Sequence, residues 1–139
     1  MNKLIIYTDG GSRGNPGEAA IGIHITDNNN KEVIDIFKRI GITTNNIAEY
    51  TAVLTAMEWI KESININDYD LIEFNLDSSL AVNQLTGKFK IKDMDLKNIV
   101  VKIKTIEDNI PQKIIYNYIP REKNKIADRL VNKSFLFTS

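Results

Sequence analysis

Residues 4–17 read LIIYTDGGSRGNPG, and this stretch decides the fold class. Residues 4–8 form a short apolar run with two Ile and a Tyr, which is typical of a buried β-strand. Asp9 follows directly, and residues 9–17 contain four Gly. Glycine lets the backbone approach a ligand closely, so this turn is a candidate binding site beside a carboxylate. The alternative is a long hairpin loop without a ligand.

The rest of the chain alternates between strand and helix patterns. Three more strands are predicted at residues 19–26, 32–40 and 71–77, and a last strand at 113–119. Helices are predicted from residues 44–46 to about Ser63, and at 78–85, 93–106 and 124–135. The order β-β-β-α-β-α-α-β-α predicts one α/β domain over residues 1–139, with an antiparallel meander followed by parallel strands and flanking helices.

Composition excludes several classes of protein. The 139 residues include no Cys, which excludes a disulfide scaffold, a thiol nucleophile and a Cys-ligated zinc site. No stretch approaches the roughly 18–20 apolar residues that span a bilayer, and the apolar run at the N-terminus is too short for a signal peptide. We therefore expect a cytoplasmic protein that does not contact a membrane.

The charges are unevenly distributed. Lys and Arg number 18 and Asp and Glu also 18, but residues 1–83 are mainly acidic and residues 84–139 mainly basic. Such a split can place a carboxylate site beside a surface that binds a polyanion. The alternative is a chance distribution over two solvated faces.

Four acidic residues occupy informative positions, and they are Asp9, Glu49, Asp77 and Asp128. Asp9 and Asp77 lie at the ends of two strands that we expect to run parallel, and if these strands are neighbours both acids emerge at the same carboxyl edge of the sheet. Glu49 and Asp128 lie near the starts of helices that can reach that edge. Each acid alone is more often a turn former or a helix cap, and only the convergence of four suggests a site.

Clustered carboxylates repel one another, and divalent cations relieve the repulsion. Oxygen ligands without Cys or a nearby His suit Mg²⁺ or Mn²⁺ rather than Zn²⁺. Two such ions can assist the hydrolysis of a phosphodiester.

Four stretches, in the same order along the chain, resemble the motifs of type 1 ribonucleases H: YTDGGSRGNPG, TNNIAEYTAVLTAMEWI, FNLDSSLAVNQLTGKFKIKD and IPREKNKIADRLVN. The resemblance covers nearly the whole domain. It implies a ribonuclease H-like fold with strand order 3-2-1-4-5. It also implies endonucleolytic cleavage of the RNA strand of an RNA–DNA hybrid, with 5′-phosphate and 3′-hydroxyl products.

The resemblance also implies roles for individual residues. The metal-binding acids of the family fall on Asp9, Glu49, Asp77 and Asp128, and in the family the position of Glu49 is close to the RNA 2′-hydroxyl. The substrate-binding positions comprise the glycine-rich turn and the start of the long helix: Gly10, Gly11, Ser12, Arg13, Asn15, Thr44, Asn45 and Asn46. Short polar groups can contact 2′-hydroxyls in a shallow minor groove without reading base sequence.

The chain departs from many members of the family in one loop. Where they place a mobile His, this chain has Arg121 and Glu122, as in a subset of the family, and its sole His is His24 in the second strand. We expect Glu122 to assist product release and Arg121 to contact a phosphate. The alternative is a solvated charge pair, with Glu122 favoured by the start of the last helix.

A second departure is the absence of the long basic protrusion that some members carry. The segment before the third helix is short, and Lys88, Lys90 and Lys92 can replace the protrusion in part. The alternative is an edge segment that these Lys protect. We expect salt-sensitive binding to the hybrid. No obligate protein partner is expected, and a monomer is the default.

Our hypothesis for the reaction is in-line attack of water with two Mg²⁺ ions, for which Mn²⁺ can substitute. Asp9 and Asp128 would hold the ion that orients the water, and Asp9, Glu49 and Asp77 the ion at the leaving 3′-oxygen. Three alternatives stay open: a non-catalytic nucleic-acid-binding module, another metal-dependent nuclease of the superfamily, and a structural protein with a fortuitous acidic edge.

Overall fold

The computed structural model describes residues 1–63 and 65–137. Its strands are β1 (Lys3–Arg13), β2 (Gly17–Asp27), β3 (Glu32–Thr43), β4 (Leu71–Leu76) and β5 (Lys113–Tyr118). Its α-helices are α1 (Asn45–Ser63), α2 (Ser79–Leu85), α3 (Met94–Asp108) and α4 (Lys125–Leu136), and short 3₁₀ turns lie at Ile66–Asp68 and Arg121–Lys123.

The five strands form one mixed sheet in the order β3-β2-β1-β4-β5, which confirms the predicted architecture. The first three strands are antiparallel, and β4 and β5 run parallel to β1. The fold is the ribonuclease H fold that the resemblance implied.

Helices cover both faces of the sheet. On one face, Leu4, Ile6 and Ile72 pack into a fully buried core with α1, which contributes Val53 and Met57. α3 packs against α1, and α4 covers the opposite face over β1, β2 and β3. Burial of these alternating strand positions fixes the register, because a slip of one residue would expose the whole apolar set.

The glycine-rich stretch differs from its prediction. We predicted a strand that ends at Thr8 and a turn over residues 9–17, but β1 continues to Arg13 and only residues 14–16 form the turn. Asp9 pairs with Gly22 and Arg13 with Glu18, so the glycines are strand residues of a long hairpin. β3 likewise extends past its predicted end at residue 40 to Thr43.

Candidate active site

Parallel pairing of β1 and β4 brings Asp9 and Asp77 to the same edge of the sheet. Thr8 is opposite Leu76 in the ladder, Asp9 is the next residue of β1, and Asp77 directly follows the end of β4. This arrangement was predicted from the sequence, and it follows from the parallel direction of the two strands.

Gly10 lets α1 approach this edge closely enough to deliver Glu49. A Cβ atom at position 10 would lie 2.3 Å from the carbonyl oxygen of Ala48 and 2.7 Å from the backbone nitrogen of Glu49. No side chain fits in that space, so a residue larger than glycine would push α1 and Glu49 away from Asp9.

Asp9, Glu49 and Asp77 form a compact carboxylate cluster. One oxygen from each lies within 4.8 Å of the other two, and all three residues are half-buried. Burial, together with the negative charges of Asp77 and Asp128, raises the pKa of Asp9 to about 8. Burial and the negative charge of Asp77 raise the pKa of Glu49 to about 7. A hydrogen bond from Ser78 and the positive charge of Arg121 lower this pKa and offset part of the rise.

Asp128 stands opposite this cluster on the first turn of α4 and is exposed. It lies close enough to raise the pKa of Asp9, although it is not one of the three acids within 4.8 Å of each other. Gly22, the ladder partner of Asp9, lets α4 come this near, because a Cβ at position 22 would lie 2.3 Å from the carbonyl oxygen of Ala127.

An open groove of about 440 Å³ runs along these acids. The residues that line it are Asp9, Gly10, Gly11, Ser12, Arg13, Asn45, Glu49, Arg121, Asp128, Val131, Asn132 and Phe135. The Arg13 guanidinium lies over the Phe135 ring, 4.2 Å from its centroid. A groove lined by both carboxylates and guanidinium groups offers a place for a phosphate backbone with bound cations.

The hairpin and the start of α1 are tied together by Asn45. Its Oδ1 accepts hydrogen bonds from Ser12 N at 2.8 Å and from Ser12 Oγ at 3.1 Å, while Asn45 N donates to Asn15 Oδ1 at 3.0 Å. Thr44 Oγ1 accepts a 3.2 Å hydrogen bond from Ile47 N and caps the helix. Asn46 is exposed beside them.

The structure separates Arg121 from Glu122. Arg121 lines the acidic groove and lowers the pKa of Glu49. Glu122 lines a different cavity, which also contains His24. His24 is 5% exposed and hydrogen-bonded to Asp35.

Among the residues that the sequence analysis missed, two contact the acids of the cluster or their neighbours. Asn124 Nδ2 donates hydrogen bonds of 2.9 Å to Asp77 Oδ2 and to the carbonyl oxygen of Thr8. Ser78 hydrogen-bonds Glu49 and also caps α2 by accepting from Ala81 N at 3.1 Å. The sequence feature that could have identified them is their closeness to predicted acids. Asn124 precedes Asp128 by one helical turn, and Ser78 follows Asp77.

The donor set of this cluster fits a hard divalent cation. The clustered ligands are carboxylate oxygens, and the raised pKa values of Asp9 and Glu49 show that the metal-free cluster resists full ionisation. A cation would relieve that repulsion.

None of the helices in residues 1–63 and 65–137 combines the length and apolar character needed to cross a membrane.

Comparison with protein families gives one matching model. Residues 7–134 match the family described as reverse transcriptase-like. Among solved structures, LC11-RNase H1, isolated from compost by a metagenomic approach, superposes with a TM-score of 0.90 at 44% identity, over 96% of each chain. The same protein solved in complex with an RNA/DNA hybrid gives a TM-score of 0.86 at 40% identity, over 94% of this chain and 95% of that one.

Two curated relatives extend the comparison. The ribonuclease HI of Halobacterium salinarum is 36% identical over 95% of this chain and 64% of its own length. The bifunctional protein Rv2228c of Mycobacterium tuberculosis is 34% identical over 94% of this chain. The match spans only 35% of the mycobacterial protein, so this chain corresponds to about a third of it.

Proposed function

We propose that this chain, which belongs to the reverse transcriptase-like family and has the ribonuclease H fold, is an endoribonuclease that hydrolyses the RNA strand of RNA–DNA hybrids. Its products would carry 5′-phosphate and 3′-hydroxyl ends. The observation that carries the proposal is the cluster of Asp9, Glu49 and Asp77 at one end of a groove that also contains Asp128. The similarity to LC11-RNase H1, which has been solved with an RNA/DNA hybrid, supports the choice of substrate.

Two Mg²⁺ ions are the proposed cofactors, and Mn²⁺ is a possible substitute. Asp9, Glu49, Asp77 and Asp128 would hold them, because these four carboxylates either cluster or face one another in the groove. When bound, such ions supply positive charge that favours attack by water on phosphorus and departure of the 3′-oxygen.

The protein's own residues position the substrate. In this proposal the RNA strand is contacted by the hairpin residues Gly10, Gly11, Ser12, Arg13 and Asn15. The minor groove and the DNA strand are contacted by Thr44, Asn45 and Asn46. Asn45, the first residue of α1, accepts a hydrogen bond from Ser12 and donates one to Asn15. These bonds hold the hairpin against α1, so that the two elements present their polar groups as one surface. Such pre-organisation lowers the entropy cost of holding the scissile phosphate.

We further propose that the chain belongs to the ribonuclease H subset with Arg-Glu in place of the mobile His. Arg121 is suited to contact a phosphate, because it lines the groove beside Glu49. Glu122 would act on product release from the adjoining cavity. Residues 86–93 form the whole connection between α2 and α3, which leaves no room there for a long basic protrusion. The exposed Lys88, Lys90 and Lys92 on this connection are its proposed replacement.

The substrate class is tested by incubating the protein and Mg²⁺ with one RNA sequence in four forms. The forms are single-stranded, paired with RNA, paired with DNA, and paired with DNA with both RNA ends blocked. Internal cuts only in the two hybrids support the proposal. Cleavage that requires a free end indicates an exonuclease, and tight hybrid binding without cleavage indicates a binding module.

A further inference from the structure

A second cavity, of about 430 Å³, lies on the face of the sheet that α4 covers. The side chains that line it include Tyr7, His24, Glu32 and Asn124. None of the four metal-binding acids assigned above lines this cavity. Its lining is therefore distinct from the four carboxylates, although Asn124 borders both the cavity and the carboxylate cluster.

His24 is the buried member of a cluster of three possible metal ligands. One ring nitrogen of His24 and one carboxylate oxygen each from Glu32 and Asp35 lie within 4.8 Å of one another. His24 is 5% exposed, and its Nδ1 is 2.5 Å from Asp35 Oδ1. Both carboxylates are exposed, so an ion can reach them from solvent.

A β-bulge in β3 creates this cluster. Ile25 pairs with Ile34, but Thr26 pairs with Glu32, so Val33 is an extra residue on the β3 side. In a regular strand, Glu32 and Asp35 would point to opposite faces, because they are three residues apart. The bulge turns Glu32 to the face that already carries His24 and Asp35, and bulges commonly redirect a side chain in this way.

Asn124 provides a second observation in the same cavity. The residue is 1% exposed and lines the same cavity, and its Oδ1 has no hydrogen-bond partner among the described residues. A buried acceptor without a partner costs free energy that a hydrated cation can offset by donating a water hydrogen bond.

We propose that His24, Glu32 and Asp35 form a second divalent-cation site, which prefers Zn²⁺ and similar transition ions to Mg²⁺. Zn²⁺ takes both imidazole nitrogen and carboxylate oxygen ligands, whereas Mg²⁺ takes oxygen ligands. The ion would join β2 to β3 at their bulge. The site does not depend on the proposed nuclease function.

The chain offers a direct probe, because His24 is its only histidine. Zn²⁺ is titrated into the protein in excess Mg²⁺, which occupies oxygen-only sites, and the imidazole ¹⁵N and ¹H resonances are followed by NMR. We expect the resonances of His24 to shift with near-stoichiometric Zn²⁺. Unchanged His24 resonances in excess Zn²⁺ would overturn the proposal.

Variants identify the ligands. Glu32→Gln and Asp35→Asn replace exposed carboxylates, and each is expected to weaken Zn²⁺ binding about 10–100-fold. Glu58→Gln, a change of an exposed acid on α1, should bind as the wild type does. Equal affinity in all three variants would show that His24 binds Zn²⁺ without this cluster and would also overturn the proposal. Because the readout is not cleavage, a failed nuclease assay leaves this test intact.

Discussion

The side-chain amide of Asn124 donates a 2.9 Å hydrogen bond to Asp77 Oδ2 and thereby links the loop before α4 to the end of β4. The same Nδ2 atom donates to the carbonyl oxygen of Thr8, the residue before Asp9. One buried amide therefore joins the two strands that carry the acids. Such a bond orients a carboxylate that must hold a metal ion.

The first prediction concerns this amide. Asn124→Ala should lower kcat for hybrid cleavage about 10–100-fold and change KM little, because Asp77 loses its orientation while the groove stays intact. The free energy of unfolding should fall by about 1–3 kcal/mol, since Thr8 loses a buried partner. Steady-state kinetics and urea unfolding measure both effects. Asn98→Ala, a change on the exposed side of α3, should alter neither, and an unchanged kcat in Asn124→Ala would contradict the assigned role.

The second prediction concerns stability without metal. The pKa of Asp9 is about 8 in the folded protein against an ordinary 3.8, and that of Glu49 about 7 against 4.5. Between these values the folded state binds more protons than the unfolded state, so stability should fall as pH rises from about 4 to about 8. Urea unfolding in a chelator, at several pH values across this window, measures the slope.

Asp9→Asn removes the largest of these penalties. It should stabilise the metal-free protein above pH 8 by about 1–3 kcal/mol and flatten the pH dependence. Asp108→Asn, a change of an exposed acid at the end of α3, is the matched control and should leave the slope unchanged. A wild-type protein that gains stability over this pH window would show that the acids are not held as described.

The third prediction separates Arg121 from Glu122. Arg121 lowers the pKa of Glu49, so Arg121→Ala should raise that pKa and move the acidic limb of the pH–rate profile to higher pH. We expect an activity loss of about threefold to tenfold at pH 6.5, with a smaller loss at pH 8.5. Glu122→Gln should keep the position of the acidic limb, because Glu122 lies outside the acidic groove. The same shift in both variants would refute the separation.

The fourth prediction concerns Asn45, which ties the hairpin to α1. Asn45→Ala should raise KM for the hybrid about tenfold, because it removes two hydrogen bonds from Ser12 and frees the substrate-binding surface to move. kcat at saturation should change less, since the acids stay in place. Asn98→Ala again serves as the control, and a selective fall in kcat would argue that Asn45 belongs to the catalytic centre instead.

The resemblance to ribonucleases H supplied the strand order, whereas the parallel direction of β4 and β5 and the meeting of Asp9 with Asp77 were predictable from regular features of the sequence. Apolar alternation identified the strands, and the connecting helices fixed their parallel direction. Asp9 and Asp77 then had to lie side by side where β4 ends. The position of Glu49 was also expected, although its cause, the close packing of Gly10 on Ala48, is visible only in three dimensions.

Other features depend on pairing that the sequence pattern does not encode. Glycine is disfavoured in strands, so the sequence of β1 from Gly10 to Arg13 was interpreted as a turn. In the structure, β2 pairs with this segment along its whole length.

The separation of Arg121 and Glu122 was also not predictable from the pattern. The two residues are neighbours in a 3₁₀ turn, where successive side chains point about 120° apart, so they reach different cavities.

The most direct test of the proposed function compares the wild type with Asp9→Asn on an RNA–DNA hybrid labelled within the RNA strand, in Mg²⁺. The urea unfolding experiment above establishes that the variant is folded. We predict internal cleavage of the RNA by the wild type, with 5′-phosphate products, and no detectable cleavage by Asp9→Asn. Substantial cleavage by the folded variant, or none by the wild type in either Mg²⁺ or Mn²⁺, would contradict the assignment of this carboxylate cluster as the active site of a ribonuclease H.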